Sequence, residues 1–257
     1  MIVTTAGRTN EQYIEKAKQV ATDLHVPYVK RNKKSLQSLH VQHENIVVVG
    51  KDGIQLYRRD SGEPYFFHPN VAMIRVKRIL NGEMDPLIEA ANLGEGDIFL
   101  DCTLGYASDS IVASFIVGEK GTVIGVEASP VLAYLAQQGL QSWQHDFLPI
   151  EQAMRRIQVQ TGDHLSHLKE MADNSVDVVY FDPMFEESIQ ESNALQTLAP
   201  FTCTSSLSEE AVAEAKRVAR KKVVLKDHFR STRFQQFGFQ QQIRKTSKFH
   251  YGVITIE

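Results

Sequence analysis

The sequence holds only two cysteines, Cys102 and Cys203, about a hundred positions apart. They form no Cys-x-x-Cys pair, which argues against both a disulfide framework and a thiolate zinc site. The start, "MIVTTAGRTNEQ", has no apolar stretch behind a basic lead, so no secretory signal is expected. No run approaches the roughly 18 apolar residues that cross a bilayer. Gly-x-Gly-x-x-Gly is missing, and with it the dinucleotide fingerprint. The nine histidines are scattered, and no metal cluster, Ser/His/Asp triad or acid pair stands out. These absences lead to the expectation of a cytoplasmic protein with no metal and no membrane partner.

What is present is an ordinary globular composition. With 257 residues, 42% of them hydrophobic, the chain can bury a core without staples, as one large domain or one domain with an appendage. A net charge of −3 argues against a general polyanion binder. The distribution is uneven. From Lys216 to His250 there are eleven Lys or Arg and one acid, Asp227, while Glu151 to Glu214 carries twelve acids and three Lys or Arg. The basic C-terminal region reads equally as a nucleic-acid footprint or as a solvated face.

Residues 1–67 read as a small α/β subdomain. "MIVTT" is strand-like, and Thr9 or Asn10 can cap a helix that puts Tyr13, Ala17, Val20, Ala21 and Leu24 on one face. Asp52-Gly53 between "IVVVG" and "GIQLYR" signals a hairpin. Residues 68–96 read as a connector of two short helices. From residue 97 to 257 strand and helix alternate: "DIFLD", "GTVIGVE", "IQVQTGD", "SVDVVYFD" and "KKVVLK" are strands separated by helices, with "GFQQQIRK" and "FHYGVITIE" as closing strands. Near-continuous apolar strands in βα repeats predict a doubly wound α/β fold with a mostly parallel seven-stranded sheet.

Ligands of such sheets lie at the carboxyl ends of the strands. The first strand ends in Asp101, followed by Gly105 for a tight turn and Ser108 or Asp109 to start the next helix. The second ends in Glu127, placed to accept ribose hydroxyls. The third ends in Gly162-Asp163-His164, within reach of an adenine edge. Ala107 after Gly105 leaves little room for a pyrophosphate, so a nucleoside cofactor without phosphates, S-adenosylmethionine, is expected. The fourth strand ends "VYFDPMF". Asp182 and the Pro183 carbonyl can accept hydrogen bonds from an exocyclic amine, Phe185 can stack on its ring, and Pro183 stiffens the loop. Cys102 reads as a small buried residue.

"LDCTLGYASDS", "GVEASPVLAYLAQQGL", "VYFDPMF", "KKVVLK" and "KFHYGVI", in that order, resemble the class I methyltransferases that modify a guanine N2 of bacterial 16S ribosomal RNA. The likeness runs from about Pro69 to Ile254 and includes Arg75 as a basic position before the core. It implies a Rossmann-like fold, S-adenosylmethionine as cofactor and structured RNA, small-subunit rRNA, as partner. Carried over by motif, Ser108 and Asp109, Glu127 and Ala128, Asp163 and His164, and Asp182 would contact the cofactor. The chain departs from the family pattern at Ala107, where the family has glycine, and at Ser108, where it has arginine. After the Asp-Pro-Met-Phe motif it continues "EESIQESNALQ" in place of proline and a basic stretch. The acids Glu186, Glu187 and Glu191 repel a phosphate backbone and leave open a methyltransferase for small molecules or proteins. A non-catalytic RNA-binding module on the same fold is the remaining alternative.

Overall fold

A computed structural model describes residues 1–59, 63–183 and 207–257. They fall into two compact units, one formed by Met1–Phe67 and a larger one beginning at His68.

In the first unit, β1 (Ile2–Thr5) pairs parallel to β2 (Asn45–Gly50), which pairs antiparallel to β3 (Gly53–Arg58). The Gly50–Gly53 pair closes the hairpin that Asp52-Gly53 signals. Helix α1 (Glu11–Asp23) starts where the Asn10 side chain accepts the Tyr13 N–H, and it buries Ala17, Val20 and Ala21. Tyr13 and Leu24, expected on the same face, are half-buried. Helix α2 (Leu36–His40) adds Leu39 to a small core with Ile2, Ile46 and Val48.

The larger unit opens with α3 (Asn70–Leu80) and α4 (Pro86–Ala91), the latter capped by the Asp85 carboxylate. Then follow β4 (Ile98–Asp101), α5 (Ser108–Val117), β5 (Thr122–Glu127), α6 (Pro130–Ser142), α7 (Leu148–Arg155), β6 (Ile157–Thr161), α8 (His164–Glu170) and β7 (Val176–Phe181). After the interval that is not described come α9 (Glu209–Val218), β8 (Ala219–His228), α10 (Arg233–Gln236), β9 (Gln240–Gln242) and β10 (Phe249–Thr255). The seven strands lie in the order β6-β5-β4-β7-β8-β10-β9, all parallel except β10, which runs antiparallel between β8 and β9. This is the doubly wound, mostly parallel sheet that the sequence predicts. Its strands are apolar because both faces are covered: Leu100, Val179, Phe181, Val223 and Leu225 join helix residues such as Ala211, Ala215 and Val218 in one core.

Three details differ from the sequence expectation. Helix α7, which buries Ile150, Ala153 and Met154, was not anticipated, because its eight residues leave too short a periodic pattern. α10, a single turn between β8 and β9, was not anticipated. The strand expected over "GFQQQIRK" forms only over three glutamines at the sheet edge, where little apolar burial supports it. Met184, Phe185, Glu186, Glu187, Glu191 and Cys203 lie outside the described residues.

The chain turns back at β4. Strands β5 and β6 are laid out on one side of it and β7 and β8 on the other, so the carboxyl ends of β4 and β7 flank the switch point.

Candidate active site

The cofactor half is built from backbone. The loop after β4 folds over β5, with the Leu104 N–H bonded to the Val126 carbonyl. Gly125 permits this approach: a Cβ there would lie 2.4 Å from Leu104 Cδ1. The loop then turns through Gly105 and Ala107, both at positive φ (50° and 58°), and α5 begins at Ser108. Glu127, 7% exposed at the end of β5, joins the two turns. Its Oε2 accepts the Gly105 N–H at 3.0 Å and its Oε1 the Ser129 N–H at 2.9 Å. Each oxygen keeps a further lone pair for a hydroxyl. Burial pushes the Glu127 carboxyl up, and the Ser129, Gly105 and Ala128 N–H groups offset this in part.

Asp101 is fully buried. Its Oδ2 accepts the Ser110 hydroxyl at 2.6 Å and its Oδ1 the Thr103 N–H at 3.0 Å. Burial pushes its carboxyl up to about 7 despite these bonds. Asp163 caps α8 by accepting the Ser166 N–H, which sets His164 at the third strand end. The buried His164 ring meets Phe181 edge-on at 5.6 Å, and burial lowers its pKa. Cys102 is buried and its thiol is pushed up by burial, which makes it the inert packing residue expected.

The reactive half is built from charge. The Asp182 N–H donates to Thr103 Oγ1 at 2.6 Å, which ties the ends of β4 and β7 together. Asp182 Oδ2 accepts from Lys226 Nζ at 2.6 Å. Among the described residues no donor reaches Oδ1. Lys226 also donates to Asp109 Oδ2 at 3.1 Å, where the Tyr180 hydroxyl donates at 2.9 Å. The other Asp109 oxygen is bound by Arg75, whose Nε and Nη2 clasp Asp85, each at 2.8 Å. Burial alone would raise the Asp109 carboxyl, but Lys226 and Arg75 outweigh it and hold it far below the usual carboxylate range. Lys226 stays protonated because Asp109 and Asp182 outweigh its own burial. Asp182 is raised by burial, against Lys226. Three carboxylates against two cations leave the chain from Asp85 to Asp182 with one net negative charge.

Asp101, Gly105, Ser108, Glu127, Ala128, Asp163, His164, Asp182 and Pro183 therefore all lie at or just after the carboxyl ends of β4 to β7, as the sequence places them. Asp109, expected on the cofactor, has both oxygens bound within the charge network. Lys226, Tyr180, Asp85 and Thr103 are site residues that sequence reasoning missed. For Lys226 a signal existed: a lysine inside the apolar run "VVLKDH" must be paired to be buried.

The basic region divides. At the amino end of β8, Lys221 bonds Asp97 at 2.5 Å, Arg217 pairs with Asp173 and Glu214, and Lys222 donates to the Ala90 carbonyl. These cations hold the fold together and do not form one open face. At the carboxyl end, Arg230, Lys245 and Lys248 are exposed.

The donor set fits S-adenosylmethionine. The Glu127 carboxylate would accept the hydroxyls of its ribose with the lone pairs it keeps, and the neighbouring strand-end acids would suit its positive sulfonium. Among the described residues no group of His, Cys, Asp or Glu could hold a metal, and no helix is long and apolar enough to cross a membrane.

A family model described as "Putative SAM-dependent methyltransferase" matches residues 29–251. The chain is 50% identical over 254 residues to "Uncharacterized protein YpiP" of Bacillus subtilis, covering 98% of each. It is 31% identical over 166 residues to ribosomal RNA small subunit methyltransferase J of Acinetobacter baumannii, covering 58% of this chain and 57% of that protein. The crystal structure of the SAM-dependent methyltransferase NGO1261 from Neisseria gonorrhoeae shares the fold at a TM-score of 0.65 and 17% identity, covering 99% of this chain and 96% of that one. A strand-end site suited to a sulfonium nucleoside and a family match across most of its length agree: the chain belongs to the SAM_MT family of S-adenosylmethionine-dependent methyltransferases.

Proposed function

We propose that the acceptor is an exocyclic base nitrogen of structured RNA, guanine N2 of small-subunit rRNA. The observation that carries this reading is Asp182. Its backbone is fixed by Thr103, one oxygen is bound to Lys226, and the other is open to a donor among the described residues. An amine on a base has a lone pair delocalised into the ring. An acceptor on its N–H orients it, and the Asp182 carboxylate stabilises the cation that develops as the methyl arrives. When bound, S-adenosylmethionine supplies the electrophilic methyl. The Pro183 carbonyl is the second acceptor, and Phe185 is the stacking ring. The relatives named ribosomal RNA small subunit methyltransferase J support the RNA assignment.

The acids at 186, 187 and 191 favour a second reading, a small-molecule or protein acceptor. One experiment separates the two: single-turnover methyl transfer from labelled S-adenosylmethionine to deproteinised rRNA, assembled small subunits, protein or metabolite fractions. Label should enter rRNA at guanine N2. Asp182→Ala should lower kcat by about 10²–10³, the scale of one preorganised electrostatic contact. Label found only in protein or small molecules would overturn the RNA reading, and a wild-type rate for Asp182→Ala would overturn the amine clamp.

A further inference from the structure

Two cavities flank the start of β10 and share one residue, Arg244. The first, about 420 Å³, lies between α3 and the sheet and is lined by Arg75, Met84, Lys226, Phe249 and Tyr251. Lys226, bonded to Asp182, connects it to the reactive half. The second, about 410 Å³, lies between Phe229 and the loop from Ile243 to Lys248. Both volumes fall within the range of about 300–1,000 Å³ typical of small-ligand pockets, too small for a duplex and adequate for a nucleotide.

The second cavity is a built feature. Buried His250 bonds Gln241 Nε2 through its Nδ1 at 2.9 Å, and its Nε2 lies 3.1 Å from both the N–H and the carbonyl of Arg244. The ring thereby pins both ends of the loop that carries Arg244 and Lys245. Phe229 and Ile243 are 38% and 78% exposed on its walls. The Arg230 guanidinium lies 5.0 Å from the Phe229 ring centre. From His228 to Ile256 the chain has five Lys or Arg and no acid. One exposed aromatic ring, Phe229, among cations in a groove offers the chemistry of single-stranded nucleic-acid binding. Phe229 is three residues beyond Lys226, about 10 Å of extended chain, so the groove adjoins the reactive end of the sheet.

We propose that the two cavities form a track for a single-stranded RNA segment. A nucleotide next to the target stacks on Phe229, and Arg230, Arg244 and Lys245 contact the phosphates between them. An unpaired target is what a site of this kind requires, since a base inside a helix cannot reach a strand-end loop. The track rests on the RNA reading above.

The test is filter binding of deproteinised small-subunit rRNA over a salt series, with methyl transfer measured on the same RNA. Arg230→Ala/Lys245→Ala should bind at least tenfold more weakly and flatten the log K versus log salt slope by about 0.7 per lost contact. Its affinity for S-adenosylmethionine should match wild type. Phe229→Ala should weaken binding and Phe229→Tyr restore it. The control, Lys120→Ala/Lys216→Ala, removes two exposed cations at the opposite ends of the strands and should leave the slope unchanged. If wild type methylates rRNA while the Arg230/Lys245 variant keeps the wild-type slope, or the control loses as much, the track is overturned and the RNA reading stands. If wild type neither binds nor methylates RNA, the reading fails and the track with it. If only assembled subunits are bound, and the Arg230/Lys245 variant binds them with the wild-type affinity and salt slope, the RNA track is overturned.

Discussion

On the β4–β6 side of the switch point, Asp101, Glu127 and Asp163 are held by backbone N–H groups and hydroxyls of the strand-end loops and the helix starts that follow them. On the β7–β10 side, Asp109 and Asp182 are held by Arg75 and Lys226, which lie 34 to 117 positions away in sequence. The first arrangement spans at most 22 positions and, among the described residues, uses no cation. The second depends on every ion keeping its partner, because the groups are mostly removed from water. A buried ion whose partner is removed costs far more than the pair contributes when intact.

Breaking the ionic side should therefore have the largest effect. Lys226→Met keeps the apolar stem and removes the charge between Asp109 and Asp182. Lys226 and Asp182 are 21% and 24% exposed at the side chain, so the loss should approach that of a buried pair, about 3–5 kcal/mol of unfolding free energy. Denaturant titration reads this. Lys226 also lowers the Asp182 carboxyl, so without it Asp182 should take up a proton at higher pH. The acid limb of the kcat–pH profile should move upward, while S-adenosylmethionine affinity stays at the wild-type value. A stable variant with an unmoved profile would show that Lys226 does not set the charge state of Asp182.

The same contrast explains what could be read from the sequence. Strand-end carboxylates, the tight turn at Gly105 and the Asp-Pro ending are local patterns, so the sheet and nearly the whole set of strand-end residues were legible. The partners of those carboxylates were not. Arg75 precedes Asp109 by a strand and a helix, and nothing in "VAMIRVKR" says which acid it meets. Tyr180 reads as one more apolar residue in "VVYF" until its hydroxyl is seen on Asp109. The basic run could not be divided from sequence for the same reason: Lys221 and Lys222 are neighbours of Lys226 in sequence but serve the other end of the strand.

Asp101 sharpens the comparison through pH. Its carboxyl is raised to about 7 by burial, above an unfolded value near 3.9. A raised carboxyl contributes stability that is fully present below about pH 4 and is lost as pH rises through about 7. Asp101→Asn carries no such proton, so its stability relative to wild type should rise across that window and level off above it. The three-unit shift sets the rise at up to roughly 4 kcal/mol, and imperfect replacement of the Ser110 and Thr103 bonds lowers the whole difference by a pH-independent amount. Thermal midpoints of both proteins from pH 4 to about 8 decide the matter: parallel curves would mean that Asp101 is ionised throughout the range.

Glu127 should give the smallest change in the fold and a clean change in the ligand. Its two bonds go to N–H groups of loops that have other anchors: the first loop is also held by the Leu104 N–H on the Val126 carbonyl, and α6 by the Ala133 N–H on the Ser129 carbonyl. Removing the carboxylate should leave both loops close to their positions and take away the acceptor for the ribose hydroxyls. Losing a hydrogen bond to a charged group costs about 1.5–3 kcal/mol, a tenfold to hundredfold loss of affinity. Calorimetry on Glu127→Ala reads that loss directly. Glu127→Gln is the sharper variant. It keeps one acceptor but turns an NH₂ toward a backbone donor or a hydroxyl, so it should fall between alanine and wild type. The acceptor side should not respond: at saturating cofactor both variants should transfer methyl at the wild-type single-turnover rate. A drop in that rate without a drop in affinity would place Glu127 on the reactive side and erase the division between the two halves.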